Sequence, residues 1–559
     1  MVLENLGLAF DAVFGIKTVL LIFVGTFAGI VAGAIPGFTI AMAVILTLPF
    51  TFGMTPLQGS ATMMGVFVGG YSGGLISGTL LGIPGTPSSV ATTFDGFPMA
   101  RQGKPGLALG VGIWSSFFGG LIGAVLLVLF APPIALFGLR FGPWEYFALI
   151  IFALTIIASL AGESMLKGGI AGLMGLLIAT VGDDDITAIS RFDFGFDAIK
   201  QGFGFLPVLI GLFAFAQLMS DIEGGDKAQA SLLDVDAEAV KLEHWSAIRT
   251  IWSQPVNLIR SALIGVFVGA LPAAGGSISN ILSYDQAKKA SRHPEKFGTG
   301  IPDGIIAAES ANNGTAGGAL ITMIALGIPG DISVAVMLGA LLIHNVVPSP
   351  TFIQEEPVLV YGIFVAFFLA HFVMILVQAV GMRVFLKVAH LPKYVLTSTV
   401  LFFCATGVFA LHNITFDIWT LFWFGVLCYL MKKFGFPLAP MILGVILGDL
   451  AEVNLNRSYM TDANPLLFFT RPISLFFVVL AVISLIFPFW QRARHQSWTS
   501  YFLPLSAMAV SIPFWISPGA MLKLIAFAFA ALGAYLLFRQ LQGGDGGPSA
   551  DERATAGSE

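Results

Sequence analysis

Leu81-Gly-Ile-Pro-Gly-Thr-Pro-Ser-Ser-Val90 interrupts an apolar run, and its first five residues return unchanged as Leu326-Gly-Ile-Pro-Gly330, 245 positions later. Proline lacks the N–H that a helix interior needs, and glycine favours helix ends, so each stretch stops one helix. Gly82 and Pro84, and Gly327 and Pro329, mark the two breaks. Upstream, Gly69, Gly73, Leu75 and Ile76 match Gly314, Gly318, Leu320 and Ile321. An earlier break, Gly33-Ala-Ile-Pro-Gly37 with Pro36 and Gly37 at its turn, returns as Gly269-Ala-Leu-Pro-Ala273 around Pro272, 236 positions later. Two breaks in the same order at nearly the same offset point to duplication of one broken unit.

The surroundings of these breaks are those of a membrane. Of 559 residues 56% are hydrophobic and 11% charged, with mean hydropathy +0.89, against about 25% charged residues in soluble domains. Runs such as Val19–Ala34, Leu107–Leu136, Tyr361–Val380 and Leu466–Trp490 approach or exceed the ~20 residues that cross a bilayer. The expected fold is an all-α polytopic integral membrane protein with about 11–14 transmembrane or re-entrant segments. It divides into an interfacial segment 1–17, a membrane half 18–222, a polar connector 223–255, a second half 256–490, further helices 491–540 and a disordered tail 541–559. The start of the chain lacks the basic residues and cleavage site of a signal peptide. Net charge is −5 and no basic stripe suggests nucleic acid. Cys404 and Cys428 both lie in apolar runs and suggest no disulfide framework.

Basic residues cluster at Arg101/Lys104, Lys288/Lys289/Arg292/Lys296, Arg383/Lys387/Lys393, Lys432/Lys433, Arg492/Arg494 and Arg539. Placing these inside puts the basic loop after the Leu81–Gly85 break in one half and before the matching break in the other. That opposite placement predicts two inverted repeats. Residues 18–35 and 38–52 are short for two spans and read as limbs of a re-entrant hairpin.

Irregular backbone at membrane depth must face protein or a wet cavity. After the first break, Gly85, Thr86, Ser88 and Ser89 begin a new helix whose free N–H groups suit an anion. After the second, Gly330 and Ser333 do the same, with Asp331 as cap. Two such ends could hold an anionic substrate while unwound carbonyls hold a cation. Glu309-Ser-Ala-Asn-Asn-Gly-Thr315 places amides and a hydroxyl in an apolar run. Asn312, Asn313 and Thr315 suit a hard cation; equally, such residues hydrogen-bond across helices. Ser72 and Thr79 read as packing, and Asp95 and Asp303 as caps. His344, His371, His390 and His412 have no metal-ligand spacing, and no nucleotide motif is present. No cofactor is expected.

Gly29–Phe38, the long segment Gly82–Lys104, and Glu309-Ser-Ala-Asn-Asn313 followed by Leu326–Gly330 resemble the large membrane subunit of tripartite tricarboxylate transporters, from about residue 18 to 490. The resemblance implies a secondary transporter of the bacterial inner membrane that imports di- or tricarboxylates on an ion gradient. It implies two partners, a small membrane subunit of about four helices and a periplasmic solute-binding protein. Substrate would meet Thr86, Ser88, Ser89 and Ser333, with Na⁺ or H⁺ near Asn312, Asn313 and Asp331. Asp303-Gly-Ile305, Ala308 and Ser349-Pro350 depart from the family's usual Glu-Gly-Val, proline and Gly-Pro. Two rival readings stand beside this: a carrier or exporter acting alone, and an intramembrane enzyme using Asp449 or Asp331.

Overall fold

In the computed structural model each Leu-Gly-Ile-Pro-Gly break is a sharp stop: Gly82 and Gly327 take φ of +69° and +73°, the left-handed conformation that glycine enters without a Cβ penalty. The structure describes residues 2–36, 38–160, 164–184, 186–224, 241–272, 275–388, 401–402, 404–409, 413–493, 497–517 and 519–542. Gly37, His390, His412, connector residues 225–240 and the tail from Gly543 lie outside these residues.

The first half contains α1 (Val2–Val13), α2 (Ile16–Ala34), α3 (Ile40–Thr51), α4 (Pro56–Leu81), α5 (Val90–Arg101), α6 (Pro105–Gly138), α7 (Pro143–Leu160), α8 (Met165–Ala179), α9 (Phe205–Ile210) and α10 (Ala216–Gly224). The second contains α11 (His244–Trp252), α12 (Pro255–Gly269), α13 (Gly275–Ala290), α14 (Pro302–Leu326), α15 (Ile332–Ile343), α16 (Phe352–Glu355) and α17 (Pro357–Val388). It continues with α18 (Thr415–Lys433), α19 (Leu438–Thr461), α20 (Pro472–Arg492), α21 (Phe502–Ile516) and α22 (Ala520–Gln542). Among the described residues eight helices are long and apolar enough to span a membrane, α11 and α12 form a further pair bent by 86°, and α3, α7, α8 and α15 are shorter apolar helices. The chain is an all-α polytopic membrane protein.

One expectation changes: the first-break limbs are unequal, because α2 has 19 residues and reaches span length while α3 has 12. The end of the connector is helical: α11 packs on α6, with Glu243 N–H donating to Gly106 O at 3.3 Å and Trp114 Nε1 to His244 Nδ1 at 3.2 Å.

Glycines spaced by four hold each repeat together. Where lipid tails are as apolar as the helices, close backbone approach is what draws helices together, and small residues permit it. A Cβ on Gly29 of α2 would lie 2.2 Å from Val66 O, and one on Gly69 of α4 would lie 2.3 Å from Thr26 O. The second half repeats this between α12 and α14: Gly265 against Ala311 O at 2.2 Å and Gly318 against Val266 O at 2.1 Å. Even the breaks dock alike, with Gly85 on Gly33 O at 2.1 Å and Gly330 on Gly269 O at 2.0 Å.

The halves then interlock by exchange. Short limb α5 of half one packs on α13 of half two, and α15 of half two packs on α3 of half one. Likewise α6 packs on α14, α17 on α4, α8 on α19 and α18 on α9. Where α4 meets α14, Asn312 Nδ2 donates to Tyr71 O at 3.0 Å. Four residues further along α4, Leu75 lies beside Ile305, a Cβ on Gly112 falling 3.4 Å and 3.7 Å from them. Rising numbers on α4 thus meet falling numbers on α14. Equivalent helices that run in opposite senses are related by a dyad across the helix direction, the geometry of an inverted repeat.

Candidate functional site

The dyad brings the first break of one half to the second break of the other. At the half-one tip, Thr86 begins a short 3₁₀ turn, Pro87–Ser89, that leads into α5. Its N–H donates to Ser89 Oγ at 3.3 Å, and Ser89 Oγ donates to Thr86 O at 2.9 Å. The hydroxyls of Thr86 and Ser88 stand 3.1 Å apart. Both Thr86 and Ser89 rest on Gly74 of α4, where a Cβ would come within 2.5 Å and 2.8 Å of their hydroxyls. Two of the predicted ligands are therefore occupied in holding the tip.

At the half-two tip Asp331 is the expected N-cap: its Oδ1 accepts from Val334 N at 2.7 Å. Its Oδ2 accepts from the Tyr71 hydroxyl of half one. The two tips meet around α13, where a Cβ on Gly275 would lie 3.5 Å from Asp331 Cβ. A Cβ on Gly276 would fall 2.7 Å from Ser88 Cβ, 2.9 Å from Asn312 Oδ1 and 2.9 Å from Tyr71 Cε1. Asn280, one turn along α13, donates to Ser88 O. Ser88, Asn312 and Asp331, all buried, thus converge on buried Tyr71 and Gly276 and on half-buried Gly275.

The amide oxygens of Asn280 and Asn312 are buried and receive no hydrogen bond among the described residues. Native structures pair the large majority of buried polar atoms, so two orphaned oxygens at one junction form a potential cation-ligand set.

The other predicted residues make their contacts elsewhere. Thr315 Oγ1 donates to Ala311 O at 2.7 Å and meets Ser279 Oγ at 2.6 Å, which is packing between α13 and α14. Asn313 donates to Glu309 O within its own helix at 3.4 Å, and its Oδ1 has no partner among the described residues. Ser333 is buried in the first turn of α15. Pro36 and Pro272 sit at the first breaks beside the ends of α2 and α12, and Gly82, Pro84, Gly327 and Pro329 at the second.

Asp95 departs from its expected role as a local cap. It accepts from Gly298 N, Gly300 N and Ile301 N at 2.8 to 3.0 Å and from Tyr284 Oη at 2.8 Å, tying α5 to the α13–α14 loop of the other half. Asp303 accepts from Gln254 Nε2 at 2.7 Å. Ser72 pairs with Gln378 of α17, as packing predicts, with Gln378 Nε2 donating to Ser72 O at 3.2 Å. Among the described residues no three His, Cys, Asp or Glu side chains gather into a metal site.

Tyr71, Asn280 and Glu309 were not anticipated as site residues. Glu309 offered a signal, being an acid inside an apolar run where ionisable groups are costly. Tyr71 and Asn280 offered none beyond their small-residue surroundings.

Two repeats with broken helices, exchanged limbs and a polar junction where their tips meet define a duplicated polytopic membrane protein. The sequence matches the tripartite tricarboxylate transporter TctA family over residues 19–443, and the chain belongs to that family. It is 32% identical over 473 residues, 84% of this chain and 93% of the relative, to an "Uncharacterized 52.8 kDa protein in TAR-I ttuC' 3'region" of Agrobacterium vitis. It is 28% identical over 223 residues, 40% of this chain and 92% of the relative, to an "Uncharacterized protein in TAR-II ttuC' 3'region" of the same organism. No solved structure matches.

Proposed function

We propose that this chain is the large membrane subunit of a tripartite secondary transporter that imports di- or tricarboxylates across the bacterial inner membrane, driven by Na⁺ or H⁺. Membership in a transporter family supports the class. The observation that carries the site is the convergence of both tips on Tyr71 and Gly275-Gly276, with the Asn280 and Asn312 oxygens orphaned there. Helix N-termini after each break offer N–H groups to substrate carboxylates, and the amide oxygens offer a hard-cation ligand set. A small membrane subunit and a periplasmic binding protein complete the system on this reading. The test is uptake of radiolabelled citrate by the reconstituted complex as external Na⁺ and pH are varied in turn, with Asn280→Ala, Asn312→Ala and Asn313→Ala. Ion dependence should weaken for the first two; wild-type dependence in both would remove the ion from this junction.

A further inference from the structure

Glu309 is 0% exposed on α14, with Thr92 Oγ1 of α5 donating to its Oε1 at 2.5 Å and Ser116 Oγ of α6 donating to its Oε2 at 2.7 Å. The Asn312 amide, one turn along the same face, lies alongside. The inward-facing titratable groups on elements packed against α14 are Tyr71 on α4, Asp95 on α5, Tyr284 on α13 and Asp331 at the α15 cap. Arg101, Asp285, Lys288, Lys289 and Glu355 lie at helix ends or the outer surface, and Arg260, half-buried on α12, donates to Asn257 Oδ1 at 2.9 Å. The inward groups are engaged elsewhere, Asp95 with Tyr284 and Asp331 with Tyr71. Among the described residues no Lys, Arg or His pairs with Glu309. A carboxylate taken out of water without a cation is neutralised by binding one.

Both carboxylate oxygens have a hydroxyl neighbour, at 2.5 and 2.7 Å, which are O–H···O separations. A hydroxyl can donate to the ionised carboxylate or turn to accept from the protonated acid, so these neighbours accommodate either protonation state.

Resting on the transport reading above, we propose that Glu309 is the proton-coupling residue of the carrier. Its carboxylate binds one proton on one side of the membrane, forming an O–H bond, and releases it on the other, with no further reactant. Because Thr92 belongs to the limb that follows the half-one tip and Asn312 to the tip junction, gain of the proton reorders the contacts that hold that limb against α14.

The experiment separates net transport from exchange in proteoliposomes carrying the complete complex. Citrate, malate and tartrate are supplied in turn, and an internal dye reads proton entry. Wild type should exchange at least one of the three and admit protons with it. Glu309→Gln, which mimics the protonated acid, should keep exchange within about twofold while losing substrate-driven proton entry about tenfold or more. Proton entry retained in Glu309→Gln, exchange lost together with it in folded protein, or wild-type uptake driven by Na⁺ without proton entry overturns the assignment. Absence of exchange of all three in wild type refutes the transport reading itself. If Glu309→Gln does not insert, Ser116→Ala decides: loss of one donor to the ionised form should move the pH profile of uptake upward by about one unit, and an unmoved profile overturns the proposal.

Discussion

Substituting Gly330→Ala tests whether the breaks are docked by backbone contact. The new Cβ would lie 2.0 Å from Gly269 O and 2.6 Å from Ala319 Cα, so α12 or α14 must retreat by about 1.4 Å to reach an ordinary contact near 3.4 Å. Both obstacles are backbone in packed helices, and no side chain can turn aside. Overpacking of this kind costs about 1–3 kcal/mol, and obstruction on two sides places it near the upper end. At roughly 2 °C per kcal/mol for a large domain, the melting temperature in detergent should fall by about 6 °C. Gly85→Ala, at 2.1 Å from Gly33 O, should fall by a similar amount because it occupies the equivalent place. Gly169→Ala meets nothing within 4 Å; a mid-helix alanine there should leave stability unchanged or raise it by about 0.5–1 kcal/mol. Fluorescence-detected size exclusion after a temperature series supplies the assay. A melting temperature within about 1 °C of wild type for Gly330→Ala, or a large loss for Gly85→Ala alone, would refute the interlock.

Tyr71→Phe leaves one oxygen of the buried Asp331 carboxylate without a donor, a loss of about 1–3 kcal/mol. The loss should shrink in the Tyr71→Phe/Asp331→Asn double variant, read by the same thermal assay. Ser72→Ala and Gln378→Leu should couple across α4 and α17 by about 0.6 kcal/mol, the usual size of such bonds in membranes; a double-mutant cycle giving zero would reassign them. Asp95→Asn keeps an oxygen for the Gly298, Gly300 and Ile301 N–H groups and turns its amide to the Tyr284 hydroxyl, but it removes the charge assistance from three bonds and should destabilise more than Tyr284→Phe, which removes one donor to Asp95. The reverse order would show that the tyrosine bond dominates that latch.

Much of the fold was legible because glycine and proline fix backbone where they stand. Gly82 and Gly327 announced helix ends without regard to neighbours, and the equal order of the breaks announced the duplication. The exchange of limbs was not legible. Nothing in α5 or α15 names α13 or α3 as its partner, because in lipid an apolar face does not distinguish one neighbour from another and only long-range glycine fit and a few polar bonds decide. For the same reason Asp95 read as a local cap, whereas its partners lie about 200 residues away in sequence. Thr86 and Ser89 were legible as polar residues at a helix start; that their hydroxyls cap their own turn depends on Gly74 being a glycine. Tyr71 was invisible because its role comes from Asp331, and Asp331 reaches it only after the halves cross.

The dyad should produce two equivalent tip junctions, yet the chemistry sits at one. At the offset of 245, Tyr71 corresponds to Ala316, Asn312 to Phe67, Glu309 to Met64 and Thr92 to Met337; at the first-break offset of 236, Asn280 corresponds to Val44. All five counterparts are buried apolar residues. Where one junction offers amide oxygens, a carboxylate and a hydroxyl, these five counterparts offer methyl, phenyl and thioether groups, while Ser88 and Asp331 correspond to the polar Ser333 and Thr86. Duplication supplied the geometry twice, and divergence kept polar ligands on the side of α5, α13 and α14 while filling the side of α3 and α15 with core. On the proposed transport reading, one substrate site per chain is expected. Equilibrium binding of labelled substrate to purified protein of known concentration should saturate at one per chain, and saturation at two would mean that the apolar junction binds as well, contrary to its composition.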